Sequence, residues 1–275
     1  MTGCRLCSAP LEPFADGTVL GSRRVSYVRC TSWRSEFLPD PTWLDEAYSS
    51  AISALDVGLL ERCIQLANVT TALIAAERLS GGIFLDFAGG YGTLTRLMRD
   101  RSLDFRHDDP LCENVFAQGF NASLDRRYDL ITAFEVLEHL PDPVQTLAPV
   151  AALTDFLLVT TQVLPEPAPR PGEWDYFAED TGQHVTFYTV DGLRALGKKL
   201  DFELTSSGRL VHLFHRSPLR RTTRLLLRDE RLSYLSGAVR SEFKRRRGFA
   251  TADRDAAVRA VQRGRDDKGR DDTTS

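Results

Sequence analysis

Apolar residues from about position 83 to position 215 follow two alternating patterns. Short apolar runs bounded by turn residues predict buried strands, and segments with apolar residues three or four positions apart predict helices. Strands that alternate with helices along the chain are typical of an open α/β sheet. The predicted strands are the run that ends at Asp86, then Leu103–His107, Leu130–Ala133, Phe156–Thr161, Phe202–Ser207 and Leu210–His215; the predicted helices begin at Leu94, Val144 and Val190.

The segment before the first of these strands has helical spacing alone. Apolar residues recur from Leu44 to Leu79 at intervals of three and four, which predicts one or two helices covering the first strand. The pattern therefore divides the chain into an N-terminal module (1–43), a helical cover (44–80), the α/β domain (81–216) and a basic helical extension with a disordered tail (217–275). The tail, from Arg263 to Ser275, is polar and has no apolar period.

A glycine-rich turn follows the first strand, in the sequence DFAGGYG at residues 86–92. A dinucleotide fingerprint would need its third glycine where Thr95 stands, and Asp86 would repel a pyrophosphate. A phosphate-binding loop would need a lysine, and this turn has none. The turn lets a ligand come close to the backbone, and Asp86 supplies a negative charge for an amino-bearing ligand.

These residues resemble the first motif of class I S-adenosylmethionine-dependent methyltransferases, in which an acidic residue precedes alternating glycines. Ala88 stands where that family has its first glycine, which permits the turn if the Ala88 dihedrals are ordinary. Asp109 comes some twenty residues after Asp86, the distance at which such a unit presents an acid to a ribose. The segment FEVLEHLPDP at 134–143 resembles the family's motif after a later strand.

The resemblance implies a Rossmann-like seven-stranded sheet, mostly parallel with an antiparallel last strand, and S-adenosyl-L-methionine as the cofactor. It implies an enzyme that transfers a methyl group. The predicted cofactor-binding residues are Asp86, Ala88, Gly89, Gly90, Gly92, Asp109, Phe134 and Glu135.

The long loop between Val163 and His184 is predicted to bind the methyl acceptor, because it follows the carboxyl end of a strand and carries aromatic and acidic side chains. Methyl transfer to oxygen needs a base, and His184 is the first candidate because it follows that loop. Its segment, GQHVTFY at 182–188, resembles a stretch of related bacterial methyltransferases. The remaining predicted residues are His139 and Glu138 for catalysis and Trp174, Tyr176 and Tyr188 for the acceptor.

The N-terminal module has the cysteine spacing of a zinc knuckle. Cys4 and Cys7 are followed by Cys30, but Trp33 stands where a fourth thiol is expected. The first 45 residues, including the segment that runs from Pro41 to Tyr48, resemble zinc-ribbon-like modules of bacterial sugar-modifying methyltransferases. A three-thiolate zinc site and a degenerate ribbon without metal both remain open. Cys63 and Cys112 are expected to be small buried residues in helical patterns.

Composition and charge fit a soluble, cytoplasmic enzyme. Of 275 residues 42% are hydrophobic, the five cysteines are an odd number, and no apolar run approaches the roughly 18 residues of a membrane span. The net charge of −3 is uneven, since 17 basic and 9 acidic residues follow His215, with the densest basic run at 244–247.

Three functions are compatible with this sequence. The first is a methyltransferase acting on oxygen or nitrogen of a small-molecule or saccharide acceptor in polysaccharide or secondary-metabolite biosynthesis. The second is a non-catalytic protein of the same fold in a biosynthetic complex. The third, a nucleic-acid methyltransferase that uses the basic extension, is disfavoured because the acceptor loop is acidic and would repel phosphates.

Overall fold

Ten strands, seven named α-helices and a further helical stretch at residues 250–259 make up the computed structural model, which describes residues 3–48, 57–245 and 248–259. The strands are β1 (Leu11–Val19), β2 (Arg23–Cys30), β3 (Glu36–Phe37), β4 (Ile83–Phe87), β5 (Asp104–Asp108), β6 (Leu130–Phe134), β7 (Phe156–Thr160), β8 (Thr186–Phe187), β9 (Glu203–Ser206) and β10 (Val211–His215). The helices are α1 (Leu44–Ala47), α2 (Leu59–Ala76), α3 (Thr93–Arg99), α4 (Pro143–Ala151), α5 (Val190–Lys199), α6 (Arg221–Arg228) and α7 (Glu230–Arg245).

The larger sheet has six strands in the order β5-β4-β6-β7-β10-β9. Strands β5, β4, β6 and β7 are parallel, and β10 is antiparallel to both of its neighbours. The predicted α/β sheet with an antiparallel strand near its end is therefore confirmed. The predicted count of seven is wrong: beyond β5 the chain makes only a parallel bridge between His107 and Asn121, because the segment that follows β5 lacks the apolar alternation of a strand.

Helices cover both faces of this sheet, as parallel strands require. Alternate strand residues point to opposite faces, so Leu157 and Leu158 belong to different cores. On one face α4 and α5 contribute leucines such as Leu147 and Leu193. On the other, α2, α3 and α6 close the second core, and all of these side chains are nearly inaccessible to solvent. Because helices bury both faces, the carboxyl ends of the parallel strands come together at one edge of the sheet.

A second, antiparallel sheet of four strands, β1-β2-β3-β8, contains the N-terminal module. Its last strand, β8, comes from the end of the predicted acceptor loop and pairs through Phe187 with Glu36 of β3. Cys4 and Cys30 lie in the same core as Leu85 and Ile131 of the larger sheet. The module is thus joined to the α/β part by main-chain hydrogen bonds and by a shared core, and the division at residue 43 stays a prediction.

Helix α2 combines exposed and buried positions. Within the described ranges it is the helix whose length and apolar composition would allow a membrane span, and half of it is buried in the fold. Its buried residues, including Leu73 and Ile74, pack in the core of the larger sheet. This burial is the pattern of a core helix.

The C-terminal extension is helical in α6, α7 and residues 250–259. Helix α7 packs along α2, and Ser241 donates a hydrogen bond to Asn68 at 3.2 Å. Arg246 and Arg247 of the predicted basic run lie outside the described residues, as does the predicted tail from Arg263 to Ser275.

Candidate active site

The glycine-rich turn leaves β4 and enters α3 through several left-handed residues. Gly90 has φ +58° and Gly92, which begins α3, has φ +81°. Ala88 also has φ +53°, so its dihedrals are not the ordinary ones under which an alanine was expected to fit. At Gly89 the requirement is space, because a Cβ atom there would lie 2.5 Å from Asp86 Oδ2 and 2.8 Å from His107 Nδ1.

Asp86 lies under this turn and is 2% exposed. Its carboxylate accepts hydrogen bonds from Thr132 at 2.9 Å and from Thr95 at 3.1 Å. Burial raises the pKa of Asp86 to about 7, against the effect of these two hydroxyls, which lower it. Thr95, which breaks a dinucleotide fingerprint in the sequence, is therefore a partner that orients the buried acid.

Asp109 connects the end of β5 to the glycine-rich turn. Its Oδ2 accepts a hydrogen bond from the Gly90 amide at 2.8 Å, and its Oδ1 accepts from the amides of Leu111 and Cys112. Parallel pairing of β4 with β5 brings both strand ends to the same edge. Asp109 thus holds the loop after β5 against the turn and lines the cleft beside it.

The cleft at this edge of the sheet has a volume of about 1130 Å³. The turn, Asp109 and the loop that ends at His184 all line it. Ligands of open α/β sheets bind at the carboxyl ends of the strands, where this cleft lies. The predicted residues that line it are Asp86, Ala88, Gly89, Gly90, Asp109, Phe134, Glu135, His139, Trp174, Tyr176 and His184.

Two glutamates follow β6 at the cleft: Glu135 lines it, and Glu138 lies behind its surface. Glu135 has φ +51°, and its Oε1 accepts from Thr160 at 2.7 Å. Glu138 is fully buried, and its Oε1 accepts from the Tyr176 hydroxyl. Burial raises the pKa of each glutamate to about 7; for Glu135 the neighbouring Glu138 acts in the same direction, and for Glu138 the Tyr176 bond opposes it. The end of β6 thus holds two acids in a site with little water.

His139 and His184 lie together next to these acids, with their ring centroids 4.7 Å apart. Nδ1 of His139 is 3.2 Å from the Gln183 carbonyl oxygen, and Nδ1 of His184 is 2.6 Å from that of Tyr176. Burial lowers the pKa of His139 to about 3 and also lowers the pKa of His184. Both imidazoles are therefore neutral at pH 7.

The three predicted acceptor residues do not all reach the cleft. Trp174 and Tyr176 line it, and their rings pack with centroids 5.1 Å apart. Tyr188 is fully buried, and its hydroxyl bonds to the Leu137 carbonyl, so the structure places it in the core. The prediction of Tyr188 as an acceptor residue is corrected on that ground. Of the two remaining predicted residues, Glu138 lies behind the cleft surface and Gly92 begins α3.

Several residues at the cleft were not expected from the sequence. Arg62 and Cys63 reach it from α2, and Cys112 from the loop after β5. Both cysteines are half-buried rather than core residues, and Cys112 lies in no helix. Tyr48 stacks edge-on to His139 at 6.1 Å between ring centroids. Helical spacing identified the helix before β4 but not which of its side chains would face a ligand.

The thiols of Cys4, Cys7 and Cys30 meet in the N-terminal module, within 4.8 Å of one another. Cys7 Sγ and Cys30 Sγ are 3.6 Å apart, a distance that suits two thiolates about 2.3 Å from one zinc ion. Burial raises the pKa of Cys4 to about 12. The residues fit three ligands of a zinc ion; within the described ranges no fourth His, Cys, Asp or Glu joins them, and the three cysteines do not line the cleft.

Comparison with known families finds one match along the chain. The sequence model of a family described as "Methyltransferase domain" matches residues 62–207, more than half of the chain. This range covers the glycine-rich turn, Asp109, both glutamates and both histidines of the cleft. No curated protein matches the chain.

Solved structures resemble this fold at low sequence identity. An O-methyltransferase family 2 protein from Planctomyces limnophilus, in complex with apigenin, is 18% identical, covers 63% of this chain and 65% of its own, and has a TM-score of 0.45. The magnesium protoporphyrin IX methyltransferase of Synechocystis, with bound S-adenosylmethionine, is 15% identical, covers 64% and 93%, and has a TM-score of 0.36. The chain spans less than two thirds of the first structure.

Proposed function

Because the chain belongs to the class I S-adenosylmethionine-dependent methyltransferase family, we propose that it transfers the methyl group of this cofactor to oxygen or nitrogen of a small-molecule or saccharide acceptor. The observation that carries the proposal is a cleft of about 1130 Å³ that both the glycine-rich turn and the two neutral histidines line. This volume is at the upper end of ligand pockets, which suits a cofactor together with an acceptor.

The cofactor half of the cleft is assigned to the turn and to Asp109. The amino acid end of the cofactor would lie against Ala88, Gly89 and Gly90, where the buried carboxylate of Asp86 supplies the countercharge for its ammonium group. The ribose hydroxyls would donate to Asp109, whose carboxylate faces the cleft while it holds the Gly90 amide. Phe134 and Glu135, at the end of β6, complete this half.

The acceptor half of the cleft is assigned to Trp174, Tyr176 and the histidines. The acceptor atom attacks the methyl carbon in line, the bond between carbon and sulfur breaks, and its electron pair stays on sulfur as S-adenosylhomocysteine forms. An oxygen acceptor must also lose its proton. His184 is the proposed base because its ring is neutral and its Nδ1 is already occupied as a donor, which leaves Nε2 to accept.

The acidic side of the cleft favours an acceptor that is neutral or cationic. Asp175, Glu179 and Asp180 line it, and together they oppose entry of a phosphate backbone. This observation supports a small-molecule or saccharide acceptor over nucleic acid.

The cofactor site is tested by calorimetric titration with S-adenosylhomocysteine. We expect micromolar binding by the wild type and a loss of at least about tenfold in Asp109→Ala, since each lost charge-assisted hydrogen bond is worth roughly 1.5–3 kcal/mol. Asp109→Asn keeps one side-chain oxygen that accepts hydrogen bonds from the loop amides but removes the charge. It therefore distinguishes an effect on ribose binding from an effect on the position of the loop. Asp108→Ala is the matched control, because Asp108 precedes Asp109 and does not line the cleft.

The outcomes separate the enzyme from the non-catalytic alternative. Binding that is lost in Asp109→Ala and kept in Asp108→Ala supports the proposed site and justifies a screen of acceptors. A wild type that unfolds cooperatively yet does not bind S-adenosylhomocysteine would rule out the enzyme and favour a non-catalytic protein of this fold.

A further inference from the structure

Glu138, His139 and His184 form a cluster of metal-ligating types at the acceptor half of the cleft. One donor atom from each lies within 4.8 Å of the other two. Ligand atoms about 2.1 Å from a common ion are roughly 3.0–3.5 Å apart, so modest side-chain rotations would close the set around a cation. Glu138 and His139 lie in the short helical turn after β6, and His184 lies in the loop that ends at β8.

The carboxylate of Glu138 is incompletely satisfied. Its Oε1 accepts from the Tyr176 hydroxyl, and the Thr161 hydroxyl and the Glu138 backbone amide also act on the carboxylate. Its Oε2 is buried and makes no hydrogen bond within the described part of the chain, which is unfavourable for a carboxylate oxygen. A cation is the partner that such an oxygen lacks, and the Tyr176 bond orients the carboxylate from behind as an outer hydrogen bond to a metal ligand does.

The two imidazoles are oriented as ligands. Each Nδ1 faces a backbone carbonyl, which accepts but does not donate, so the proton of each neutral ring lies on Nδ1. The Nε2 lone pairs of His139 and His184 are consequently the ones available for a ligand. A backbone carbonyl that fixes the tautomer through the second ring nitrogen is the usual arrangement around metal-binding histidines.

The local charge leaves room for a cation. Glu135 adds a second carboxyl group beside Glu138, and the charge of Glu138 acts on it. Arg62, which interacts with both glutamates, is the Lys or Arg side chain that lines this cleft within the described ranges. Two carboxyl groups and one guanidinium therefore surround the candidate site.

We propose that Glu138, His139 and His184 bind a divalent first-row metal ion, Mn²⁺ or Zn²⁺, in the cleft. Two imidazole nitrogens and one carboxylate suit these ions better than Mg²⁺, which prefers oxygen ligands alone. Three protein ligands leave coordination positions open for a hydroxyl oxygen of the acceptor. This role for the ion rests on the proposed function, whereas binding of the ion does not.

Metal binding at this site changes the role of the histidines. The ion would bind the acceptor hydroxyl and lower its pKa, so that its proton leaves to solvent and the resulting oxyanion attacks the methyl carbon. His184 is then a ligand instead of the proposed base. The substrate class that fits is a hydroxylated acceptor rather than an amine, because the ion selects an oxygen donor.

The test is a titration of the full chain, freed of metals by a chelator, with Mn²⁺ followed by electron paramagnetic resonance. Mn²⁺ is chosen because it prefers imidazole and carboxylate to thiolate, so the cysteines of the N-terminal module do not compete. We expect about one Mn²⁺ per chain, displaced by Zn²⁺, and an affinity at least about tenfold lower in Glu138→Gln and His184→Asn. Asp180→Asn, an exposed carboxylate on the same cleft, is the control and retains the wild-type affinity.

S-Adenosylhomocysteine binding and thermal unfolding of the same samples complete the design. Weaker Mn²⁺ binding in variants that unfold like the wild type supports the cation site. A wild type that binds S-adenosylhomocysteine but neither Mn²⁺ nor Zn²⁺, or a Glu138→Gln variant that binds Mn²⁺ as tightly as the wild type, overturns the cation site alone. A protein that binds Mn²⁺ but not S-adenosylhomocysteine retains the cation site and loses the proposed function.

Discussion

The carboxylate of Asp86 has almost no contact with solvent, which is unfavourable for its charged form. It also lies under the glycine-rich turn, where neighbouring atoms leave little space. Its pKa in the folded protein, about 7, is above the unfolded value, so the folded state binds the extra proton between about pH 4 and pH 7. The contribution of Asp86 to the free energy of unfolding therefore falls as the pH rises through this window. A buried acid maintained at such a cost is typical of a site that meets a charged ligand.

The first prediction follows from this linkage. If the ammonium group of the cofactor requires ionised Asp86, the affinity for S-adenosylhomocysteine rises from pH 6 to pH 8, by up to about tenfold per pH unit below the pKa. Calorimetry across this range with wild type and Asp86→Asn measures the effect. The variant should bind more weakly at pH 8 and show a flatter profile; identical profiles for both proteins would remove Asp86 from the cofactor site.

A second prediction compares two neighbouring positions of the glycine-rich turn. Ala88→Gly relieves a left-handed conformation worth about 1–2 kcal/mol and loses about 0.5–1 kcal/mol to unfolded-chain entropy, so we expect a gain in stability of about 0.5 kcal/mol. Gly89→Ala places a Cβ 2.5 Å from Asp86 Oδ2 and should abolish S-adenosylhomocysteine binding. Denaturant titration and calorimetry check the pair, and a tolerated Gly89→Ala would contradict the close packing under the turn.

At the scale of elements, the approach of α7 to α2 depends on one glycine. A Cβ on Gly237 would lie 1.8 Å from the backbone oxygen of Asn68, so the two helices touch backbone to backbone. Intrinsic helix propensity alone would make alanine better than glycine by about 1 kcal/mol. The steric clash outweighs this preference, because the Asn68 oxygen belongs to the main chain and cannot rotate away as a side chain can.

The third prediction is that Gly237→Ala destabilises the protein by at least about 2 kcal/mol, the reverse of the propensity effect. Urea unfolding measures the change in free energy. Gly81→Ala is the matched control, since nothing lies within 4 Å of its Cβ, and it should change stability by less than about 0.5 kcal/mol. A neutral or stabilising Gly237→Ala would show that α7 does not pack on α2 as described.

On the scale of the whole molecule, segments distant in sequence close the fold around the cleft. Strand β8 joins the N-terminal sheet to the α/β part, and the helical residues 250–259 return to α3 through Asp253. Asp253 accepts two hydrogen bonds from Arg99, at 2.9 and 2.8 Å. Hydrogen bonds from Arg99 lower the pKa of Asp253 although burial opposes them, so this contact is present at neutral pH and is lost as the pH falls below about 4.

The fourth prediction is that Asp253→Asn releases residues 250–259 without unfolding the sheet. Arg99 keeps a partner in Asp104, so the guanidinium is not left buried alone. Amide hydrogen exchange in 250–259 should accelerate by at least about tenfold while β4 and β6 stay protected. Asp255→Asn, a neighbouring position with an exposed side chain, serves as the control. Equal protection in wild type and Asp253→Asn would mean that other contacts hold this segment.

The sequence alone determined the α/β character of the larger sheet and its antiparallel strand, and it predicted the residues proposed for the cofactor half of the site. Apolar runs of period two fix which residues of a strand face each core, and the glycine-rich turn followed by Asp109 is a local pattern with a local cause. Only the tertiary structure decided the rest. The left-handed φ of Ala88, the burial of Tyr188 and the meeting of Glu138 with His184 depend on how a long loop returns to the sheet, and periodicity carries no information about that return.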